Sequence, residues 1–325
     1  MKHVPLGNTG VEVSALCLGT MYFGSLTDEV TSFQILDCYV EAGGTFLDTA
    51  NIYAGWVDGF VGGESETLLG RWLNGRSNRS HLFIATKVGG ILHRGHEPLP
   101  GSQSGLRAAQ IEAECEKSLR RLGIETIDLY YGHMDDRSTP WEETLEAFTR
   151  LIKAGKVRFI GASNIAAWRL AQARCVSIAN DWDSYCCVQQ RFSYLRPRVG
   201  ANFSPQVAAD DDLLDYCQTE GVTLLAYSPL LGGLYGEANR VLPEQYVSSQ
   251  SSNCLAALNE IAAEHYATTH QIVLAWLCQN SPNAIPVIGV ETAQQLQENL
   301  RSLDITLSNS QLNRLNRART PNGDD

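Results

Sequence analysis

The sequence predicts an α/β protein, because short apolar runs of strand-forming residues alternate with longer amphipathic stretches along its 325 residues. Most runs consist mainly of Val, Ile, Leu, Phe, Tyr or Thr and end at Gly, Ser, Asn or Pro. Runs this apolar are typical of parallel strands buried on both faces. The predicted strands are Val13–Gly19, Thr45–Ala50, Leu82–Val88, Thr126–His133, Val157–Ser163, Tyr185–Arg191, Val222–Ser228 and Ala284–Val290.

The stretches between these strands predict helices. In Ile111–Leu119, for example, apolar residues recur at helical spacing and leave a charged outer face. Ser163–Asn164 and Ser308 are predicted helix starts, and Gly123 and Gly221 are predicted stops. The predicted helices are Glu29–Ala42, Glu64–Leu73, Ala109–Leu122, Trp141–Ala154, Ala166–Ala179, Asp210–Glu220, Leu255–His265, Ala293–Leu303 and Ser310–Arg319.

Strands that alternate with helices over this length favour a closed (β/α)8 barrel, a TIM barrel, and a doubly wound open sheet is the alternative. Residues 1–325 are interpreted as a single domain, since no segment has the composition of a linker. The segment Val4–Val13 predicts a β-hairpin that precedes the barrel. Long loops are predicted after the third, sixth and seventh strands, on the C-terminal face where barrel enzymes place their sites: Gly89–Leu106, Leu195–Ala209 and Leu230–Asn253.

Composition excludes several classes of function. The net charge of −11 argues against a nucleic-acid-binding face, which requires clustered Lys and Arg. Nine dispersed cysteines without a CxxC pair favour a reducing compartment over a disulfide framework. The sequence shows neither a secretory signal nor an apolar run of about 18 residues, so we expect a cytoplasmic protein that does not span a membrane.

Chemically useful side chains follow three neighbouring predicted strands. Asp48 lies near the end of the second strand with Tyr53 five residues later, Lys87 lies near the end of the third, and His133 ends the fourth. An ammonium beside a tyrosine favours the phenolate and should lower the phenol pKa, while a carboxylate keeps that ammonium charged. With an imidazole to orient a carbonyl oxygen or relay a proton, these groups suit proton transfer to an oxygen while a nicotinamide delivers hydride to carbon.

The chain resembles the aldo-keto reductase family over nearly its whole length. The order and spacing of the matching segments carry this resemblance more than any one of them. The segments are Leu6–Gly10, Leu18–Met21, Phe46–Tyr53, Gly63–Glu66, Thr86–Lys87, Ser118–Gly123, Asp128–His133, Gly155–Asn164, Tyr227–Leu230 and Gly289–Asn299.

The resemblance implies a catalytic tetrad of Asp48, Tyr53, Lys87 and His133, in an NAD(P)(H)-dependent enzyme that interconverts a carbonyl and an alcohol. It also implies where the nucleotide binds. No GxGxxG motif follows a predicted strand, which agrees with a family that does not bind its dinucleotide in the Rossmann manner. The implied cofactor contacts are Gly19, Thr20, Met21 and Asp48 near the nicotinamide, Ser163, Asn164 and Gln189 on its carboxamide, Tyr227 stacked on its ring, Ser228, Leu230 and Gly232 at the pyrophosphate, and Gly289, Glu291, Gln295, Glu298 and Asn299 at the adenosine.

The choice between NADP(H) and NAD(H) depends on the residues that follow Gly289. Relatives that prefer NADP usually place Lys, Arg, Ser or Thr shortly after this glycine, whereas here Gly289–Gln295 contains no cation. Glu291 would repel a 2′-phosphate but could accept hydrogen bonds from ribose hydroxyls. If Glu291 faces solvent instead, a cation from elsewhere could serve, so both nucleotides stay open.

The expected partner is a small carbonyl or alcohol substrate, contacted by Tyr53, Trp56 and His133. Tyr22, Phe23 and Tyr194 are further candidates for the pocket wall, and aldehydes, ketones and sugars are all compatible with the sequence. His93 and His96 form the one pair typical of a metal site, but no third ligand lies nearby and we expect no metal. The alternative function is a catalytically weak, cofactor-binding regulatory barrel. The sequence makes no prediction of oligomeric state.

Overall fold

The computed structural model describes residues 1–90, 105–236 and 241–320, together with the backbone of residues 93–94 and 97–98. The chain opens with an antiparallel hairpin of β1 (His3–Pro5) and β2 (Glu12–Ser14). The barrel strands that follow are β3 (Cys17–Gly19), β4 (Phe46–Asp48), β5 (Phe83–Val88), β8 (Ile127–Gly132), β9 (Val157–Ser163), β10 (Cys187–Arg191), β11 (Thr223–Tyr227) and β12 (Ala284–Ile288). Between β5 and β8 lies a short antiparallel pair, β6 (His93–Arg94) and β7 (Glu97–Pro98).

The eight barrel strands pair in parallel and in chain order, and β12 closes the ring against β3. This confirms the predicted (β/α)8 barrel with its N-terminal hairpin. The predicted first strand, Val13–Gly19, was wrong in its extent. Residues 12–14 pair with β1 instead, and the Ala15 amide donates to the Lys2 carbonyl at 2.9 Å, so the chain bends before it enters the barrel as β3.

Helices surround the barrel and lie close to the predicted positions. They are α1 (Glu29–Glu41), α2 (Glu64–Arg76), α3 (Ala108–Leu122), α4 (Trp141–Lys153), α5 (Ala167–Asn180), α6 (Asp211–Glu220), α7 (Ser251–Glu264), α8 (Thr269–Gln279), α9 (Ala293–Leu300) and α10 (Asn309–Arg319). The sequence analysis missed α8, whose stretch Ile272–Leu277 is buried throughout. A helix apolar on all sides shows no amphipathic period.

Helix ends follow the expected chemistry at most positions. Gly123 and Gly221 end α3 and α6 with φ of +64° and +65°, as their left-handed conformation requires. Ser308 caps α10 within a capping box formed with Gln311. The predicted helix start at Ser163–Asn164 was wrong, because Ser163 ends β9 and the N-cap of α5 is Ala166, two residues beyond Asn164.

The hairpin closes the N-terminal end of the barrel. Leu6 and Val13 are fully buried and pack in one cluster with barrel-interior residues such as Cys17 and Phe46. The Gly7 amide donates to the Thr223 hydroxyl at 2.6 Å. The hairpin residues Leu6, Gly7 and Val13 thus form a plug that closes the N-terminal end of the barrel to water. The open end of the barrel is therefore the one where the strands end.

Two glycines of the hairpin offer a matched test of this plug. Both have positive φ, but a Cβ on Gly7 would lie 2.3 Å from the Cys186 carbonyl oxygen, whereas a Cβ on Gly10 would meet nothing within 4 Å. We expect Gly10→Ala to cost about 1–2 kcal/mol from the left-handed backbone alone. Gly7→Ala should cost about 1–3 kcal/mol more, because the plug must shift. Chemical denaturation measures both, and equal losses would contradict this account.

Candidate active site

The four residues predicted to carry the chemistry meet at the C-terminal mouth of the barrel. Asp48 is the last residue of β4, Lys87 lies one residue before the end of β5, and His133 directly follows β8. Tyr53 lies in the turn after β4, with its amide donating to the Ala50 carbonyl at 3.2 Å. Because β4, β5 and β8 are neighbours in one parallel sheet, their C termini emerge together.

The ammonium of Lys87 is the centre of the site. Its Nζ donates to Oδ1 of Asp48 in an ion pair, to the Tyr53 hydroxyl at 2.7 Å and to the Thr49 carbonyl at 2.8 Å. These bonds use all three donors of an ammonium. Lys87 and Asp48 are both fully buried, so the charge of each depends on the other. Tyr53 in turn lies 3.4 Å from Oδ1 of Asp48, to which its hydroxyl donates.

Burial sets the protonation of these groups. The pKa of Tyr53 is raised well above its ordinary value, first by burial and then by the negative charge of Asp48. The expectation that Lys87 lowers the Tyr53 pKa therefore fails as a net direction, because these two effects outweigh the ammonium. The pKa of Lys87 is itself lowered by burial, against the opposing effect of Asp48. Tyr53 is thus a neutral phenol that accepts one hydrogen bond from a cation and has a proton to give.

His133 faces Tyr53 across the mouth, with ring centroids 6.1 Å apart. Burial and the nearby charge of Lys87 hold the pKa of His133 well below its ordinary value, so the imidazole is neutral at pH 7. Its Nδ1 is buried and makes no hydrogen bond within the described part of the chain. Gly90 packs against this nitrogen, and a Cβ there would lie 2.8 Å from it.

The opposite wall comes from β9, β10 and β11. Gln189 reaches across the barrel and donates from Nε2 to Oδ2 of Asp48 at 2.8 Å, and the Ser163 hydroxyl donates to the Gln189 carbonyl at 2.8 Å. Asn164 accepts at Oδ1 from the Tyr227 hydroxyl at 2.8 Å and the Val207 amide at 3.1 Å.

The amide nitrogen of Asn164 is also engaged. It donates to the His133 carbonyl and to the Ser163 hydroxyl, both at 3.0 Å. The hydrogen-bonding capacity of this side chain is thus used within the protein. Asn164 therefore links His133, which follows β8, to Tyr227 at the end of β11. Its backbone is left-handed, with φ of +52°.

A polar layer supports the mouth from outside, and the sequence analysis gave a role only to its Thr20, as an expected contact near the nicotinamide. The Thr20 hydroxyl lies 2.8 Å from the Ser65 hydroxyl and 3.0 Å from the Asp48 carbonyl, which it meets as a donor. Glu66 is fully buried and accepts from the Thr86 hydroxyl at 2.5 Å and from Nε of Arg121 at 2.6 Å. Gly63–Glu66 is one of the segments that resemble the family. The sequence around Glu66 gives no sign, however, that this carboxylate of α2 is buried.

The residues expected at the nucleotide lie beyond β11 and β12. Leu230 and Gly232 are in the turn after β11, whose Ser228 has φ of +51°. Glu291 is exposed, and its amide donates to Oε1 of Gln295 at 2.7 Å in the first turn of α9.

Further along α9, Asn299 is buried and Glu298 faces α8. Glu298 Oε1 accepts from the Thr268 hydroxyl at 3.0 Å and lies 3.8 Å from Nδ1 of His270. Sequence reasoning missed His270, whose Nε2 is buried and makes no hydrogen bond in the part of the chain described.

The candidate pocket-wall residues divide into two groups. Trp56 lies edge-to-face against Tyr53, with centroids 6.0 Å apart, and Gly19, Met21 and Tyr22 are half-buried beside the mouth. Phe23 and Tyr194 pack in the outer core instead, so they were wrong as pocket-wall candidates. The side chain of His93, and His96 as a whole, lie outside the described residues.

A buried Lys–Asp–Tyr cluster with a neutral imidazole, at the mouth of a parallel barrel, is a site for acid–base chemistry on a small molecule. Comparison with known proteins identifies the family. The model of the aldo/keto reductase family matches residues 15–320, so the chain belongs to the aldo/keto reductase family. Members are NAD(P)H-dependent oxidoreductases that act on carbonyl groups, and this chain is an oxidoreductase of that class.

Individual relatives agree with the family assignment. Uncharacterized oxidoreductase YrpG of Bacillus subtilis (strain 168) is 33% identical over 97% of this chain and 95% of its own length. Norsolorinic acid reductase stcV of Emericella nidulans is 34% identical over 93% of this chain and 77% of its own. Thermostable aldo-keto reductase Tm1743, crystallised with the inhibitor epalrestat, matches with a TM-score of 0.75 and 30% identity over 98% of this chain and 100% of its own.

Two kinds of feature are absent from the described residues. None of the helices there is long and apolar enough to cross a membrane. Within residues 1–90, 105–236 and 241–320, no group of three or more His, Cys, Asp or Glu side chains is placed to hold a metal ion.

Gln189 and its neighbour Gln190 offer a matched test of the site. Both are buried, but Gln190 points away from the mouth and bonds the backbone of Ile165 at 2.9 and 3.2 Å. We expect Gln189→Met to lower kcat about tenfold or more at saturating cofactor, because a hydrogen bond to a charged group contributes about 1.5–3 kcal/mol. Gln190→Met should lower the Tm and leave kcat unchanged. A Gln189→Met enzyme with the kcat of the wild type would refute the role assigned to this amide.

Proposed function

We propose that this protein reduces the carbonyl group of a small aldehyde, ketone or sugar to an alcohol, with Tyr53 as the proton donor. The observation that carries the proposal is the position of Lys87 Nζ, which bonds both the Tyr53 hydroxyl at 2.7 Å and the Asp48 carboxylate in a fully buried setting. Such an arrangement can supply a proton to an oxygen and then stabilise the phenolate that remains.

Each residue has a distinct task in this mechanism. Tyr53 donates its proton to the carbonyl oxygen as negative charge develops there. Lys87 stays charged, because Asp48 is its counterion, and it stabilises the Tyr53 phenolate. His133, as a neutral imidazole that faces Tyr53 across the mouth, positions the substrate oxygen beside Tyr53. In the reverse direction the Tyr53 phenolate accepts the proton of the alcohol.

The nicotinamide nucleotide supplies the hydride when bound, and the described residues suit it with one change from the expected contacts. Asn164 has no spare hydrogen-bonding capacity, so the carboxamide contacts fall mainly to Ser163 and Gln189. Tyr227 would present its ring to the nicotinamide. Ser228, Leu230 and Gly232 would approach the pyrophosphate, and Glu298 and Asn299 the adenine.

We infer a preference for NAD(H) at the adenosine end of the site. Glu291 places a negative charge just before the N-cap of α9, and Oε1 of Gln295 accepts from the Glu291 amide at 2.7 Å. The Glu291 carboxylate forms no ion pair with a cation in the part of the chain that the structure describes. A carboxylate here suits ribose hydroxyls and disfavours a 2′-phosphate.

A reducing, cytoplasmic setting is also part of the proposal. All nine cysteines lie among the described residues, and each is free. Several are buried small side chains, and burial raises the pKa of Cys115 and Cys217 to about 12, which leaves them unreactive.

Loss of the Tyr53 hydroxyl tests the mechanism. Tyr53→Phe should lower carbonyl reduction by about 10²–10⁴-fold and leave nucleotide binding intact, because only the proton donor is removed. Tyr131→Phe is the matched control, since Tyr131 is also buried but its hydroxyl meets only the thiol of Cys187 at 3.7 Å. Oxidation of NADH or NADPH, followed by absorbance, gives the rates. Unchanged turnover in Tyr53→Phe would exclude this mechanism.

Replacement of Glu291 tests the nucleotide preference. Wild-type protein should bind NADH at least as tightly as NADPH, and Glu291→Lys should tighten NADPH about tenfold by exchanging repulsion for attraction at the 2′-phosphate. Quenching of tryptophan fluorescence gives Kd for each nucleotide. Glu125→Lys, an exposed position just before β8 at the opposite end of the barrel, makes the same change of charge and controls for a general gain of positive charge. A wild type that binds NADPH tenfold more tightly than NADH would overturn the inference.

A further inference from the structure

The arginines of this acidic protein fall into two groups. Most of those described form an ion pair with a carboxylate, as Arg76 does with Asp37 at 2.7 Å and Arg169 with Asp135 at 2.8 Å. Among described arginines without such a pair, most are exposed, namely Arg107, Arg120, Arg301 and Arg317. The two that are not exposed, Arg191 and Arg319, line one and the same cavity.

Arg319, the last residue of α10, is the more unusual of the two because only 8% of it is exposed. Its Nε donates to the Tyr194 carbonyl at 2.6 Å, and its guanidinium lies 4.4 Å from the ring centroid of Trp276. Its two terminal nitrogens make no hydrogen bond to any described residue, and neither is sealed from the cavity. Burial and the charge of Arg196 lower its pKa to about 10, which reflects the cost of a buried cation without a counterion.

Arg191 approaches the same space from the end of β10. It donates from Nε to the Tyr246 hydroxyl at 3.0 Å and from Nη1 to Oε1 of Gln206 at 2.9 Å. Both partners are neutral, so the charge of Arg191 is not balanced by a described carboxylate. Two guanidinium groups that have no ion pair with a described carboxylate thus line one cavity, in a chain with a net charge of −11.

The cavity also holds two carboxylates, and both are already engaged. Asp211 bonds Arg196 through both oxygens, at 2.5 and 3.1 Å, and Asp210 accepts from the Leu213 amide at 2.9 Å as the N-cap of α6. The cavity has a volume of about 230 Å³ and opens to solvent, so it has room for a compact ligand only. None of its described lining residues belongs to the tetrad or to the segments expected to bind the nucleotide.

We propose that this cavity binds a compact oxyanion, a phosphate or a small carboxylate, between Arg191 and Arg319. Guanidinium groups recognise such oxygens through paired, charge-assisted hydrogen bonds. The anion supplies the counterion that Arg319 lacks and joins the end of β10, the segment before α7 and the end of α10. The competing account is purely structural: Arg319 holds α10 against the barrel through Trp276 and Tyr194, and that account requires no anion.

The test is titration of the whole protein with sodium phosphate or sodium malonate, against sodium chloride of equal ionic strength. Isothermal calorimetry and thermal melting should both show saturable binding, with Tm raised by about 5 °C at a hundredfold excess over Kd. Binding of phosphate alone identifies a phosphorylated ligand, and binding of malonate alone identifies a carboxylate ligand. Both outcomes support the site.

Three variants separate the site from general salt effects. Arg191→Met and Arg319→Met should lose the saturable response, whereas Arg317→Met, on the exposed side of the same helix, should keep it. Because Arg319→Met also removes a tie to the barrel, half-buried Arg191 is the more informative position. A wild type that responds to phosphate and malonate only as it does to chloride, or an Arg191→Met response equal to that of the wild type, overturns the proposal. The test is independent of the proposed reductase activity.

Discussion

The ammonium of Lys87, buried in the mouth of the barrel, is the constraint on which the rest of the site depends. A charge without water is costly, and here it is offset by the ion pair with Asp48, the Thr49 carbonyl and the Tyr53 hydroxyl. These partners come from the end of β4 and the turn after it. The pairing of β4 with β5, and the conformation of that turn, are therefore coupled to the charge of one side chain.

Asp48 extends this constraint across the barrel. One of its oxygens meets Lys87 and the other meets Gln189 of β10, a strand on the far side of the ring. The Lys87 ion pair is thereby fixed from two directions, and this closes the site around the space where a substrate must lie. The hairpin packs against the barrel interior at the opposite end. At the mouth, burial and the charge of Asp48 raise the pKa of Tyr53.

Much of this architecture could be predicted from the sequence because its signals are local. Strand runs and amphipathic helices are periodic, and Asp48, Lys87 and His133 are recognisable because each stands at or just beyond a strand end. Prediction from the local sequence failed where one run of residues was compatible with two structures. The run Val13–Gly19 is continuous in sequence, but its first residues pair with β1. The middle of α8, Ile272–Leu277, is buried on all sides, so no polar face marks it as a helix.

The sequence by itself determined the barrel, its hairpin and the identity of the four residues at its mouth. Only the tertiary structure decided how those residues are protonated and which neighbours are free to act. The direction of the Tyr53 pKa, the saturation of Asn164 and the unpaired charge of Arg319 each depend on burial and on distances between groups far apart in the chain. Such distances follow from how the strands and helices pack, so no local pattern records them.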